Sequence, residues 1–219
     1  MKITVVGKRF LVMFLGLMLM SIGVAISKLA SLGTSPIASI PNVLSFLSPL
    51  QIGQASLIFL VLLVFLEAVV LRQFFSWKNL VQLIPAALFS LGIDFFVRFL
   101  RFLTPHFYWE QLLMTLISVF ILALGVFFEV NSQLFVMPGE GISLAIAFMK
   151  NRAFSKIKII VDTCMVIIAI SLALSVTHQL VGVREGTIIA AILTGHCVSF
   201  LEKQTWLTQH INHFVENYI

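Results

Sequence analysis

Six apolar stretches of roughly twenty residues decide the solvent in which this chain folds. They run approximately Arg9 to Leu29, Ile52 to Leu71, Leu80 to Phe102, Gln111 to Val130, Ile157 to Val176 and Gly186 to Leu201. A helix of about 20 residues crosses a hydrocarbon core, and within that core every backbone N–H and C=O needs a partner inside the protein. Apolar character is continuous in each stretch rather than alternating over ten-residue pieces, which argues for helices and against a transmembrane barrel. Composition agrees. Only 11% of the 219 residues are charged and 60% are hydrophobic, with a mean hydropathy of +1.08, whereas a soluble domain carries about 25% charge. The lipid bilayer is therefore the expected partner.

The net charge of +5 reads as cytoplasmic Lys and Arg, not as a nucleic-acid surface. With the N-terminus inside, the cytoplasmic ends collect Lys2, Lys8, Arg9, Arg72, Lys78, Lys150, Arg152, Lys156, Lys158 and Lys203. The outer ends keep Lys28, Arg98, Arg101 and Arg184. Ten against four predicts cytoplasmic N- and C-termini. Arg98 and Arg101 are expected to snorkel outward, with Tyr108 and Trp109 as interface anchors. The first stretch is longer than a signal-peptide core and no small-x-small site ends it, so it reads as a retained helix. Cys164 and Cys197 lie within apolar runs without metal-ligand spacing and read as packing residues.

Two helix breakers divide the runs. Gly33-Thr34-Ser35-Pro36 and Met137-Pro138-Gly139-Glu140-Gly141 each stand after a Gly-Val pair, Gly23-Val24 and Gly125-Val126, and before a short apolar segment. Ile142 follows Ile37 by 105 residues, Ile157 follows Ile52 by 105 and Ala190 follows Ala86 by 104. The expected fold is thus an all-α membrane protein with six transmembrane helices as two inverted three-helix repeats, residues 1–103 and 104–203, each with a Gly/Pro breaker and a short helix. Three crossings per unit make the second copy start from the opposite side. The short segments, roughly Pro36 to Leu47 and Gly141 to Met149, either lie on the surface or re-enter the membrane. Pro41 and Pro49 in the first copy and Lys150-Asn151-Arg152 in the second are read as their stops. Residues 204–219 are expected to form a cytoplasmic amphipathic helix, in which His210 and His213 read as solvated rather than as a metal pair.

Ionisable groups at membrane depth are candidates for function. Glu67 is expected to pair with Arg72 or to snorkel. Asp94 stands one turn before Arg98, which makes a local pair and a site role equally open. Glu129 leads into the second breaker, Glu140 sits within it between two glycines, and Asp162 lies further into the next helix. His196 follows Thr194-Gly195 in the last stretch and reads as a buried, titratable imidazole. Thr34 and Ser35 are the polar groups of the first breaker. Glu140, His196, Asp162, Asp94, Glu129, Thr34 and Ser35 make a mostly acidic ligand-binding set, suited to a cationic or zwitterionic solute or to proton coupling. No nucleophile elbow, zinc-protease helix or phosphate loop occurs in the chain, so enzyme chemistry is the weaker class, and no metal or cofactor is implied.

Ser31-Leu32-Gly33-Thr34-Ser35-Pro36, the stretch from Met137 to Ser143, and Arg184-Glu185-Gly186-Thr187 through Thr194-Gly195 resemble the YitT/YczE group of small bacterial inner-membrane proteins. The resemblance covers nearly the whole chain. It implies a Gly-rich breaker in each half and an acidic residue after the second Pro-Gly, which Glu140 matches. The first breaker has no acidic residue, so a ligand site should be asymmetric. It also implies the bacterial inner membrane, multi-pass, as the location.

These readings point to a small-solute membrane transporter, or a substrate-binding membrane subunit, with its site between the two repeats. A second copy of the chain or energising partner subunits are the expected protein partners. The rival expectation is a membrane regulatory or scaffold protein that binds a partner protein or lipid without transport.

Overall fold

Long helices form where the apolar runs stand, and two short helices follow the breakers. The structure, a computed structural model, describes residues 3–72, 77–204 and 206. Its helices are α1 (Ile3–Leu29), α2 (Pro36–Leu47), α3 (Ile52–Leu71), α4 (Leu83–Phe99), α5 (Tyr108–Asn131), α6 (Pro138–Lys150), α7 (Phe154–Thr177) and α8 (Glu185–Lys203), with a 3-10 turn at Trp77–Gln82 before α4. Among the described residues there is no strand. Five segments among the described residues are long and apolar enough to cross a membrane: Val5–Leu29, Ile52–Leu71, Asn79–Phe99, Tyr108–Asn131 and Phe154–Thr177. The chain is therefore an all-helical, multi-pass membrane protein. α8, expected as a sixth span, stands outside that set of five. Of the expected tail helix, all but residues 204 and 206 lies outside the described residues.

Local chemistry fixes the ends of the short helices. Pro36 and Pro138 each occupy the first helical position, where the missing N–H removes no bond and φ is already helical. Asn151 ends α6 in the left-handed region at φ 50°, ψ 52°, and the Arg152 N–H then bonds Ala147 O at 3.0 Å, closing the last turn. α2 corrects one expectation. Pro41 does not stop it; the helix runs through Pro41 to Leu47 with Pro41 buried. The ring removes one ladder bond, in a stretch, Pro36 to Val43, that is buried throughout.

α1 and α5 form the centre of the bundle, and glycines let them touch. A Cβ on Gly23 would lie 3.0 Å from Ser118 O, and one on Gly125 would lie 2.7 Å from both Gly16 O and Met20 N. Such close backbone approach is what small residues supply between membrane helices. Positions 118, 122 and 125 stand 102 residues after 16, 20 and 23, so each helix offers the other the same set of positions. The partners run in opposite order, which makes the pair antiparallel. Around it, α1 packs on α4 as α5 packs on α8, α3 on α4 as α7 on α8, α3 on α6 as α7 on α2, and α2 on α3 as α6 on α7. Leu17, Met20, Phe89, Ile93 and Phe127 fill the core, while Phe65, Val69, Phe95, Ile167 and Phe200 stand exposed on outer faces, as lipid-facing side chains do.

Candidate functional site: a buried carboxylate–lysine cluster

Glu129 ends α5 with its side chain fully buried. The chain turns at Ser132 and Gln133, whose φ is 54°, and comes back so that Met137 N–H donates to Glu129 Oε1 at 2.8 Å. The breaker loop is thereby tied to the helix it leaves. Three residues later, in the first turn of α6, Glu140 is also fully buried. From the start of α7, Lys158 reaches Glu140 with a side chain only 2% exposed. Its ammonium lies 3.3 Å from Glu140 Oε1 and 2.7 Å from Asp162 Oδ1, one turn further along α7. The bond from Met137 ties Glu129 to a point three residues along the chain from Glu140.

Two carboxylates, Glu140 and Asp162, thus share one ammonium out of reach of solvent, and a third, Glu129, is buried at the other end of the loop that leads to Glu140. Glu129 Oε2, Glu140 Oε2 and Asp162 Oδ2 accept no hydrogen bond from the described residues, and Glu140 Oε1 has only the Lys158 ammonium at 3.3 Å. A buried acceptor left without a donor costs about 1–3 kcal/mol, more when it is charged, so this arrangement is held against its own preference.

The first breaker supplies a second group of unfilled acceptors. Thr34 and Ser35 are buried, and neither hydroxyl has a hydrogen-bond partner among the described residues. Thr34 N–H donates to Thr187 Oγ1 at 3.0 Å, and Gly186 N–H donates to Leu32 O at 2.9 Å. Gly33, at φ 101°, leaves no room for a Cβ beside Thr187. The turn before α2 is therefore docked on the start of α8. α2 in turn meets α6 at their first turns, where the Ile37 side chain occupies the space that a Cβ on Gly139 would need.

Of the residues expected to bind ligand, Glu129, Glu140 and Asp162 come together, and Thr34 and Ser35 stand at the start of the helix that touches the turn carrying Glu140. Asp94 and His196 do not join them. Asp94 Oδ1 accepts from Gly53 N–H at 2.8 Å and so caps α3, while Arg98 turns to Gln51 Oε1 at 2.7 Å instead of to Asp94. His196 is exposed, with Nδ1 2.7 Å from Ile192 O. The expectation of a buried imidazole is corrected by helix phase: the buried face of α8 carries Thr187, Ala190, Ala191, Thr194 and Val198, and position 196 faces away from it.

Lys158 is the site residue that sequence reasoning missed by counting it with the surface cations. Its spacing of four from Asp162 was the available signal. Glu67 also behaves otherwise than expected. It is buried and accepts from Gln82 Nε2 at 2.5 Å and from Asn79 Nδ2 at 3.4 Å, amide donors standing where Arg72 was expected.

Residues 7–203 match the model of a family of unknown function, DUF6198. This chain belongs to that family. No curated protein and no solved structure matches it.

Proposed function

We propose that this protein is a small-solute membrane transporter, or the substrate-binding membrane subunit of one, whose site is the Glu129–Glu140–Lys158–Asp162 cluster. The observation that carries the reading is the set of three carboxylate oxygens, Glu129 Oε2, Glu140 Oε2 and Asp162 Oδ2, that are buried and meet no hydrogen-bond donor among the described residues. Ionisable groups inside a membrane protein are expensive, and they mark ion and solute paths. Oxygens left open beside a helix break suit a cationic or zwitterionic solute whose N–H groups supply the missing donors, or a proton.

The architecture proposed around the site has six crossings in two inverted three-helix repeats, with α8 as the sixth. Nineteen residues give it a length of about 28 Å. The reciprocal glycine contacts of α1 and α5 support this, since a two-fold relation makes each partner present the same patch to the other. α2 and α6 follow opposite ends of an antiparallel pair, yet their first turns touch. That favours two re-entrant half-helices over two surface helices. Cytoplasmic termini follow from the Lys and Arg bias, and a bacterial inner membrane from the YitT/YczE resemblance.

A thermal-shift screen of the detergent-purified protein against amines, amino acids, vitamins and lipids tests the reading. A ligand at a hundred times its Kd stabilises by about 2.7 kcal/mol. The expected result is a cationic or zwitterionic hit that Glu140→Gln abolishes while the variant stays folded. A hit that survives Glu140→Gln would remove the site from this cluster, and silence with capture of a protein partner would favour a scaffold.

A further inference from the structure

A cavity of about 300 Å3 opens beside the cluster, lined by Glu67, Asn79, Gln82, Leu134, Phe135 and Val136. With about 30 Å3 per water, it has room for a small cation and part of its hydration shell. We infer that this cavity is the entry through which cations reach the carboxylate cluster, with Glu67 as the receiving carboxylate.

Two contacts join the cavity to the cluster. The lining stretch Leu134–Val136 runs straight into Met137, whose N–H is held by Glu129, so the breaker loop separates the cavity from that carboxylate. On the other side stands Gly141, the residue after Glu140, where a Cβ would lie 2.8 Å from Gln82 Oε1 and 3.0 Å from Glu67 Oε2. The first turn of α6 is thus a wall one backbone thick, with Glu67 on one face and Glu140 adjoining it in sequence. Gln82 and Asn79 hold Glu67 with amide donors, which orient a carboxylate without cancelling its charge. A carboxylate fixed in this way in a concave opening concentrates cations there.

The inference rests on the transport reading for what lies beyond the wall, and its test reads the cavity alone. In a background with Cys164→Ser and Cys197→Ser, Val136→Cys in sealed vesicles is reacted with a cationic and an anionic methanethiosulfonate of similar size. With each rate taken relative to that reagent's rate with a small thiol free in solution, the cationic reagent is expected to react faster by roughly tenfold or more, from the membrane side that labels an Asn151→Cys marker. Glu67→Gln is expected to bring the two rates together. Phe135→Cys, at the exposed edge of the same cavity, serves if Val136→Cys does not fold. Equal rates with Glu67 in place, or reaction only from the opposite side, overturn the inference and leave the transport reading standing. The reverse failure, a ligand hit indifferent to Glu140→Gln, leaves the charge preference of the cavity unaffected.

Discussion

Lys158 Nζ lies 3.3 Å from Glu140 Oε1 on α6 and 2.7 Å from Asp162 Oδ1 on its own helix. The ammonium is therefore what lets α6 and α7 bring carboxylates together without solvent. Removing one partner of a buried ion pair strands the other and costs about 3–5 kcal/mol. Lys158→Met is expected to lower stability in detergent by that order. Adding Glu140→Gln and Asp162→Asn removes the stranded charges and should recover most of the loss. Thermal unfolding of the single and triple variants checks this; a Lys158→Met protein as stable as its parent would strip Lys158 of its structural role.

The contact of Gly139 with Ile37 makes a prediction about the two short helices. Any side chain at 139 must occupy the space of the Ile37 side chain, and overpacking a filled core costs about 1–3 kcal/mol. Gly139→Ala should destabilise within that range. Ile37→Ala added to it vacates the space, so the double variant should lose less than the sum of the two singles. Additive losses in a double-mutant cycle would mean that the first turns of α2 and α6 do not meet.

Much of this arrangement could be read from the residues alone, and the misses share one cause. The breakers, the proline start of α2 and the grouping of Glu129 with Glu140 were legible, because both acids flank one breaker, whereas α6 starts at Pro138 and not at the expected Gly141. Side-chain direction was not read. Lys156 is exposed and Lys158 buried, two neighbours in a basic run separated by helix phase. His196 was given membrane depth without a direction, although the small residues at 187, 190, 191 and 194 already mark the inward stripe of that helix. Glu67 and its amide donors Asn79 and Gln82 lie on different elements, and no local pattern announces such a meeting.

Asp94 separates a structural carboxylate from a functional one. By accepting the Gly53 N–H it caps α3 from another helix, and loss of an N-terminal cap costs about 1 kcal/mol. Asp94→Ala should destabilise by that amount, and Asp94→Asn, which keeps an acceptor, by less. Neither should alter ligand-induced stabilisation, and the same holds for His196→Ala. A ligand shift lost in Asp94→Asn would return that residue to the site.

Protons and a cationic ligand compete for the same oxygens, which gives the binding a pH dependence of known sign. As pH falls, carboxylates of the cluster bind protons and lose the charge that attracts the ligand, so apparent affinity should fall. Where each bound cation displaces one proton, linkage requires about a tenfold change in affinity per pH unit. With several carboxylates close together, the slope belongs to the cluster and not to any one residue. Removing one member by Glu129→Gln should flatten the slope while leaving Lys158 paired with Asp162 and Glu140. Titration calorimetry with the screening hit, repeated in buffers of different ionisation enthalpy, counts the protons released. Proton uptake on binding, or affinity that rises on acidification, would show that the ligand is an anion held by Lys158 and not a cation held by the carboxylates.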